Sequence, residues 1–202
     1  MRDESVRQQL ALATYKSKQP DALGALEEAR SILEKLRPDV TNDPETLGLW
    51  GAVHKRLWDL LGEQHLLDTA IASYERGFYL RQDHYNGINF ALLLNVRSKL
   101  HLKAGDRPEA VADFVLARRV RREVLRLCEG ALASVPEASA ERYWVLASLW
   151  EAAVGLGDAA KAAGFEKEAT LLAKDVPLPG WMVGSTREQL GRLSDLLAHP
   201  PF

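Results

Sequence analysis

The feature that most constrains this chain is a recurring spacing. Ala22, Leu26 and Ala29, then Ala70, Tyr74 and Gly77, then Ala110, Phe114 and Ala117 each read small, bulky, small at positions i, i+4 and i+7. Ala162, Glu166 and Ala169 repeat the spacing more weakly, with Glu166 in the bulky place. Those positions share one face of an α-helix, so each such helix carries a stripe on which small residues flank a knob. Small residues let neighbouring backbones approach, and enlarging one in a packed position costs about 1–3 kcal/mol. The stripe is therefore expected on the second helix of a stacked helical hairpin.

The remainder of the chain agrees with helix. Alternation of period two is nearly absent, and Gly or Pro breaks fall near Pro20, Pro38 to Pro44, Gly62, Asp83 to Gly87, Gly105, Pro136, Gly157 and Pro177 to Gly184. About nine helices lie between them. In "NDPETL" Asp43 is placed to accept from the free amides of a first turn while Pro44 sits where no N–H is needed. "AGD" at 104–106 and "LGD" at 156–158 each pair a terminating glycine with an aspartate N-cap. "STRE" at 185–188 matches a capping box and places a last helix at about 185–198. The expected hairpins run over about 4–37, 43–82, 84–134 and 138–175, as one helical-repeat domain spanning 1–202.

With 47% hydrophobic and 27% charged residues the chain can bury a core, and its net charge of −2 gives no global pull toward nucleic acid or an anionic membrane. The single Cys128 excludes an internal disulfide and lies in an apolar helical stretch as a buried small hydrophobe. "MRDESVRQQL" lacks the apolar run of a secretory signal, and no segment approaches the ~20 apolar residues of a membrane span. A cytoplasmic protein is expected.

A small residue, an aromatic four on and Ala or Gly three further, following a Gly turn, resembles the second half of a tetratricopeptide repeat. Trp50, Gly51 and His54 fall near its first-helix Leu, Gly and Tyr. Ala22, Ala70, Ala110 and Ala162 are 48, 40 and 52 residues apart, wider than the family's ~34. Within Leu66 to Leu94, Asp68, Ala70, Ile71, Tyr74, Gly77, Phe78, Tyr85, Gly87, Ile88 and Asn89 are similar to the helical TRAF-binding region of the apoptosis signal-regulating kinases and to kinase-less bacterial proteins that carry it. The likeness extends over about Thr41 to Leu127, and "GWMVGSTREQL" also looks familial. The resemblance implies an all-α, right-handed solenoid of about four tetratricopeptide-like hairpins with a C-terminal capping helix. It implies protein binding in signalling or stress response, and with the kinase domain absent no catalytic residue carries over.

"YERGFYLRQDHYNGIN", Tyr74 to Asn89, is then the seam between two hairpins. Tyr74 and Phe78 are expected to plug the groove, Gly77 to keep the neighbouring backbone close, and Gly87 to sit at a crowded crossing. Asn89 either bonds the preceding loop carbonyls or faces a ligand, the first being favoured.

No chemistry-bearing constellation emerges. His54, His65, His84, His101 and His199 show no i, i+4 pair and no nearby cysteine, so no metal or other cofactor is expected. No nucleophile elbow, Walker loop or metalloprotease motif occurs, and no catalytic residue is nominated. Partner-binding candidates are the polar residues of first helices, which line the concave side of a hairpin solenoid: Lys55, Arg56, Asn89, Asn95 and Arg97. A second surface is the basic ridge of Arg118, Arg119, Arg122 and Arg126 in "ARRVRREVLRL", suited to an acidic peptide, a phosphate or RNA, although Glu123 and Glu129 partly neutralise it. Trp50, Trp58, Trp144 and Trp150 are expected to pack between repeats, and Trp181 to anchor the last helix from a Pro/Gly loop. The expected function is a noncatalytic scaffold for a protein or peptide partner. The alternatives are an enzyme or small-ligand sensor converging His54, Lys55, Asn89 and a carboxylate, and a nucleic-acid binder using the ridge.

Overall fold

In the computed structural model, which describes residues 2–202, the described residues form nine α-helices and no strand. These are α1 (Arg2–Ser17), α2 (Ala22–Glu34), α3 (Pro44–Leu61), α4 (Gln64–Arg81), α5 (His84–Lys103), α6 (Arg107–Ala131), α7 (Ala140–Leu156), α8 (Ala159–Asp175) and α9 (Gly180–Leu197). The all-α class expected from the sequence is the one adopted. Among the described residues no helix is long and apolar enough to cross a membrane.

The chain divides into two compact units, Met1–Asn86 and Gly87–Phe202. In the first, α1 pairs with α2, α3 with α4, and both α1 and α2 lie on α3. Tyr15, Leu26, Ala29, Leu33, Val53, Leu57 and Leu66 form its core, with Trp50 and Trp58 packed against it. Asp43 caps α3 as expected, accepting from Thr46 N at 2.8 Å, and Asp21 caps α2 in the same way, accepting from Gly24 N at 2.8 Å. The α3–α4 turn closes on Gly62 at φ 71°, a conformation that glycine adopts without steric cost.

In the second unit, α6 packs on α7, and α7 on α8 and α9. Helix α5 is tied to α6 by Ser98 Oγ, which donates to the Ala110 carbonyl at 2.6 Å. Asp106 caps α6 through Glu109 N at 3.3 Å and Asp158 caps α8 through Lys161 N at 3.0 Å, both directly after left-handed glycines. Cys128 is buried in α6.

The stripe holds in α4 and α6, where Ala70, Tyr74, Gly77, Ala110, Phe114 and Ala117 are all buried. It needs correction elsewhere. In α2 the buried small residues are Ala25 and Ala29, and Ala22 is exposed in the first turn. In α8 Ala162 and Ala169 are buried while Glu166 points to solvent. Helix α9 begins at Gly180, so "STRE" is no capping box: Ser185 and Thr186 lie inside the helix and donate back to the Met182 carbonyl at 3.0 and 3.1 Å. The physical reason is the first turn, where Met182 is buried and Trp181 meets the Trp144 ring at 6.0 Å. Trp181 is thus helical rather than in a loop.

Candidate interaction site

The seam that the sequence singles out is built by two glycines and one asparagine. Gly51 of α3 lies under the Tyr74 ring of α4, whose carbons stand 2.9 Å from where a Cβ would be. Gly77 meets the Asn86 side chain, with Cγ 2.6 Å from a Cβ at that position. Asn86 Nδ2 donates to the Pro44 carbonyl at 3.1 Å and to Asp83 Oδ1 at 2.7 Å, and the same Asp83 oxygen accepts from Asn86 N at 2.7 Å. Asp83 therefore caps α5. Asn86 thus bonds the first residue of α3 and the Asp83 carboxylate just before α5, while Asn89, nominated from the sequence, is buried.

The polar residues nominated on first helices are largely internal. Lys55, Asn89 and Asn95 are 8%, 2% and 3% exposed, which corrects the expectation of solvated positions. Arg56 donates to the Ala52 carbonyl at 3.2 Å and lies 5.0 Å from the centre of the Tyr15 ring, a cation–π placement. Arg97 is held by Asp113, donating from Nε and Nη2 to its two carboxylate oxygens at 2.7 Å each. His101 Nε2 stands 3.7 Å from the same carboxylate.

His54 is buried against the Trp50 ring, centroids 4.1 Å apart, with Nδ1 2.9 Å from the Trp50 carbonyl. Donation to that carbonyl fixes the proton on Nδ1. Burial holds its imidazole below the ordinary histidine value, and Arg30 nearby adds to this. Among the described residues no group of three potential metal ligands occurs.

The basic ridge is not uniform. Arg118 Nη2 donates to the Leu156 carbonyl at 3.2 Å, and Arg126 is bound by Glu123. Arg119 and Arg122 are exposed and have no hydrogen-bond or ion-pair partner among the described residues. Arg121, passed over in the sequence, is fully buried. It occupies the inward face with Ala117, Val124 and Cys128, the i, i+4, i+7, i+11 positions, and that register was its available signal. Burial pushes its guanidinium down to about 10 against the pull of Glu151, whose Oε2 accepts from Gln189 Nε2 at 2.7 Å. The Arg97–Asp113 pair had a signal too: the two residues lie eight before and eight after the turn at Gly105, as facing residues of a hairpin do.

Compared with known proteins, residues 1–94 match the family model described as Tetratricopeptide Repeats-Sensor. No curated protein and no solved structure shows a significant match. The match covers α1 to α4 and the first half of α5, and that part of the chain is similar to tetratricopeptide-like helical repeats.

Proposed function

We propose that this chain is a noncatalytic interaction module that binds a peptide or partner domain in cytoplasmic signalling or a stress response. The observation that carries the reading is the run of helical pairs matching a tetratricopeptide family model whose description also names a sensor. Repeats of this kind present extended surfaces suited to peptides. The likeness to the TRAF-binding region of the apoptosis signal-regulating kinases agrees with this role, but many residues that carry it, including Ala70, Ile71, Tyr74, Gly77 and Phe78, are buried packing residues. It therefore speaks for a shared way of closing the seam more than for a shared partner.

Of the side chains nominated for contact, Arg119 and Arg122 are the ones both exposed and unpaired, so an acidic partner segment on α6 is the favoured ligand. Arg56 and Arg97 remain half-buried members of the first-helix set, whose release for a partner would break contacts within the chain. A nucleic-acid ligand needs many phosphate contacts, and two free arginines with no aromatic exposed beside them fall short of that.

Selection of peptides from a random display library on the whole chain tests this, with calorimetry of the selected sequences against R119E/R122E and R56A. Acidic sequences whose binding is lost in R119E/R122E are the expected result. Failure to select any saturable peptide, or turnover of a substrate that survives repurification and disappears in His54→Gln, would overturn the reading. Loss confined to R56A would move the site to the first helices.

A further inference from the structure

Within the second unit, α7, α8 and α9 enclose a cleft of about 200 Å³. Tyr143 and Trp150 of α7 form an aromatic floor, and Ala169 and Thr170 of α8 form one wall. At the rim stand Lys174 of α8 and Arg187 of α9, both exposed and neither with a hydrogen-bond or ion-pair partner among the described residues. Two cations beside an apolar floor, with no carboxylate paired to them among the described residues, leave room for an acidic ligand.

We propose that this cleft seats one aromatic or large aliphatic side chain of an acidic peptide, with Lys174 and Arg187 meeting carboxylates that flank the anchor. The proposal rests on the interaction-module reading and adds to it a second contact, separate from the α6 arginines, for an acidic segment that carries an apolar anchor. Size decides the anchor: pockets for drug-sized ligands run to about 300–1,000 Å³, whereas this volume holds a single side chain. Charge decides the flanks, since an unpaired arginine and lysine favour carboxylates, arginine in a bidentate manner. A nucleic-acid strand is disfavoured because two cations on a chain of net charge −2 neutralise too few phosphates.

Two contacts join the α7 and α9 walls. Gln189 Nε2 donates to Glu151 Oε2 at 2.7 Å, tying α9 to α7 at the residue next to Trp150. The Trp144–Trp181 contact holds the start of α9 on the same helix. A pre-formed cleft loses little conformational freedom on binding, which leaves more of the contact free energy as affinity.

The test is fluorescence anisotropy of a labelled Glu-Asp-Phe-Glu-Asp peptide titrated with the full chain, K174E/R187E and R119E/R122E, with circular dichroism as a check on folding. Saturable binding is expected, weakened about tenfold or more by K174E/R187E and by Phe→Ala in the peptide, and little changed by R119E/R122E. Equal binding of the Phe→Ala peptide would reduce the cleft to a cationic rim and overturn the proposal. So would loss confined to R119E/R122E, which leaves the wider reading in place and moves the contact to α6. No saturation by this peptide or its Leu analogue overturns the cleft alone, and competition by oligothymidylate at equal strength would assign it to nucleic acid.

Discussion

The side chain of Arg121 packs against Gly155 of the neighbouring helix, with Cδ, Nε and Cζ all within 2.6 Å of where a Cβ on that glycine would stand. Arg121 is completely buried, and Glu151, one turn before Gly155, supplies the negative charge that offsets it. Isolated buried charge is costly, and removing one member of a buried pair strands the other at a loss of about 3–5 kcal/mol. Arg121→Met should therefore lower the urea midpoint strongly, while Arg121→Met with Glu151→Leu should recover most of the loss or exceed the parent. A double variant as weak as the single one would show that the charge of Glu151 is not the reason for the single variant's effect. Gly155→Ala should destabilise by about 1–3 kcal/mol or more, since the guanidinium has nowhere to retreat.

At the seam, Asn86 occupies the space that a side chain at position 77 would fill. Gly77→Ala is expected to cost about 1–3 kcal/mol through overpacking. Asn86→Ala removes bonds to Asp83 and Pro44 and is expected to cost a similar amount. Because both changes disturb one contact, the pair should be non-additive, with the second change costing less in the presence of the first. Additive midpoints in denaturation would mean that the two residues do not share that space.

Hairpin ends were legible because turn chemistry is local. Asp43, Asp106 and Asp158 cap their helices, and the glycines at 62, 105 and 157 adopt the left-handed conformation. The stripe in α4 and α6 was legible because those helices bury one face. The nominated contact residues were harder to read, and α3 and α5 show why. Every residue from Asn86 to Val96 is buried, as is nearly all of Thr46 to Lys55, so these helices have no solvent face there, and the sequence of α5 carries almost no 3.6-residue contrast. A polar residue in such a stretch looks available for a ligand when it is in fact an internal one. Arg121 was hidden in the opposite way, an inward position within a run of outward arginines.

His54 gives the first unit a pH dependence. Burial depresses its folded pKa below the unfolded value of about 6.5, so the unfolded chain binds more protons between the two. Its contribution is complete above about pH 6.5 and is lost as pH falls through the folded value. Urea midpoints for the parent should drop between about pH 7.5 and pH 5.5, and His54→Gln should show a smaller drop over the same interval. An unchanged difference would place the titration on other groups.

Arg97 and Asp113 close the α5–α6 hairpin with a bidentate pair in which Asp113 is only 5% exposed. Asp113→Ala leaves a half-buried guanidinium without its carboxylate, and hydrogen bonds to charged groups contribute about 1.5–3 kcal/mol, so a loss within roughly that range is expected. Arg97→Ala should cost as much or less, because His101 Nε2 stands 3.7 Å from the Asp113 carboxylate that is left behind. By contrast Arg119→Glu and Arg122→Glu change exposed, unpaired residues one to three turns further along α6, and each should shift stability by no more than about 0.5 kcal/mol. Denaturation of the four variants side by side therefore sorts the basic residues by role: an arginine that anchors the hairpin loses stability when changed, and one reserved for a partner loses binding alone. Equal stability losses for Arg97→Ala and Arg122→Glu would refute that division.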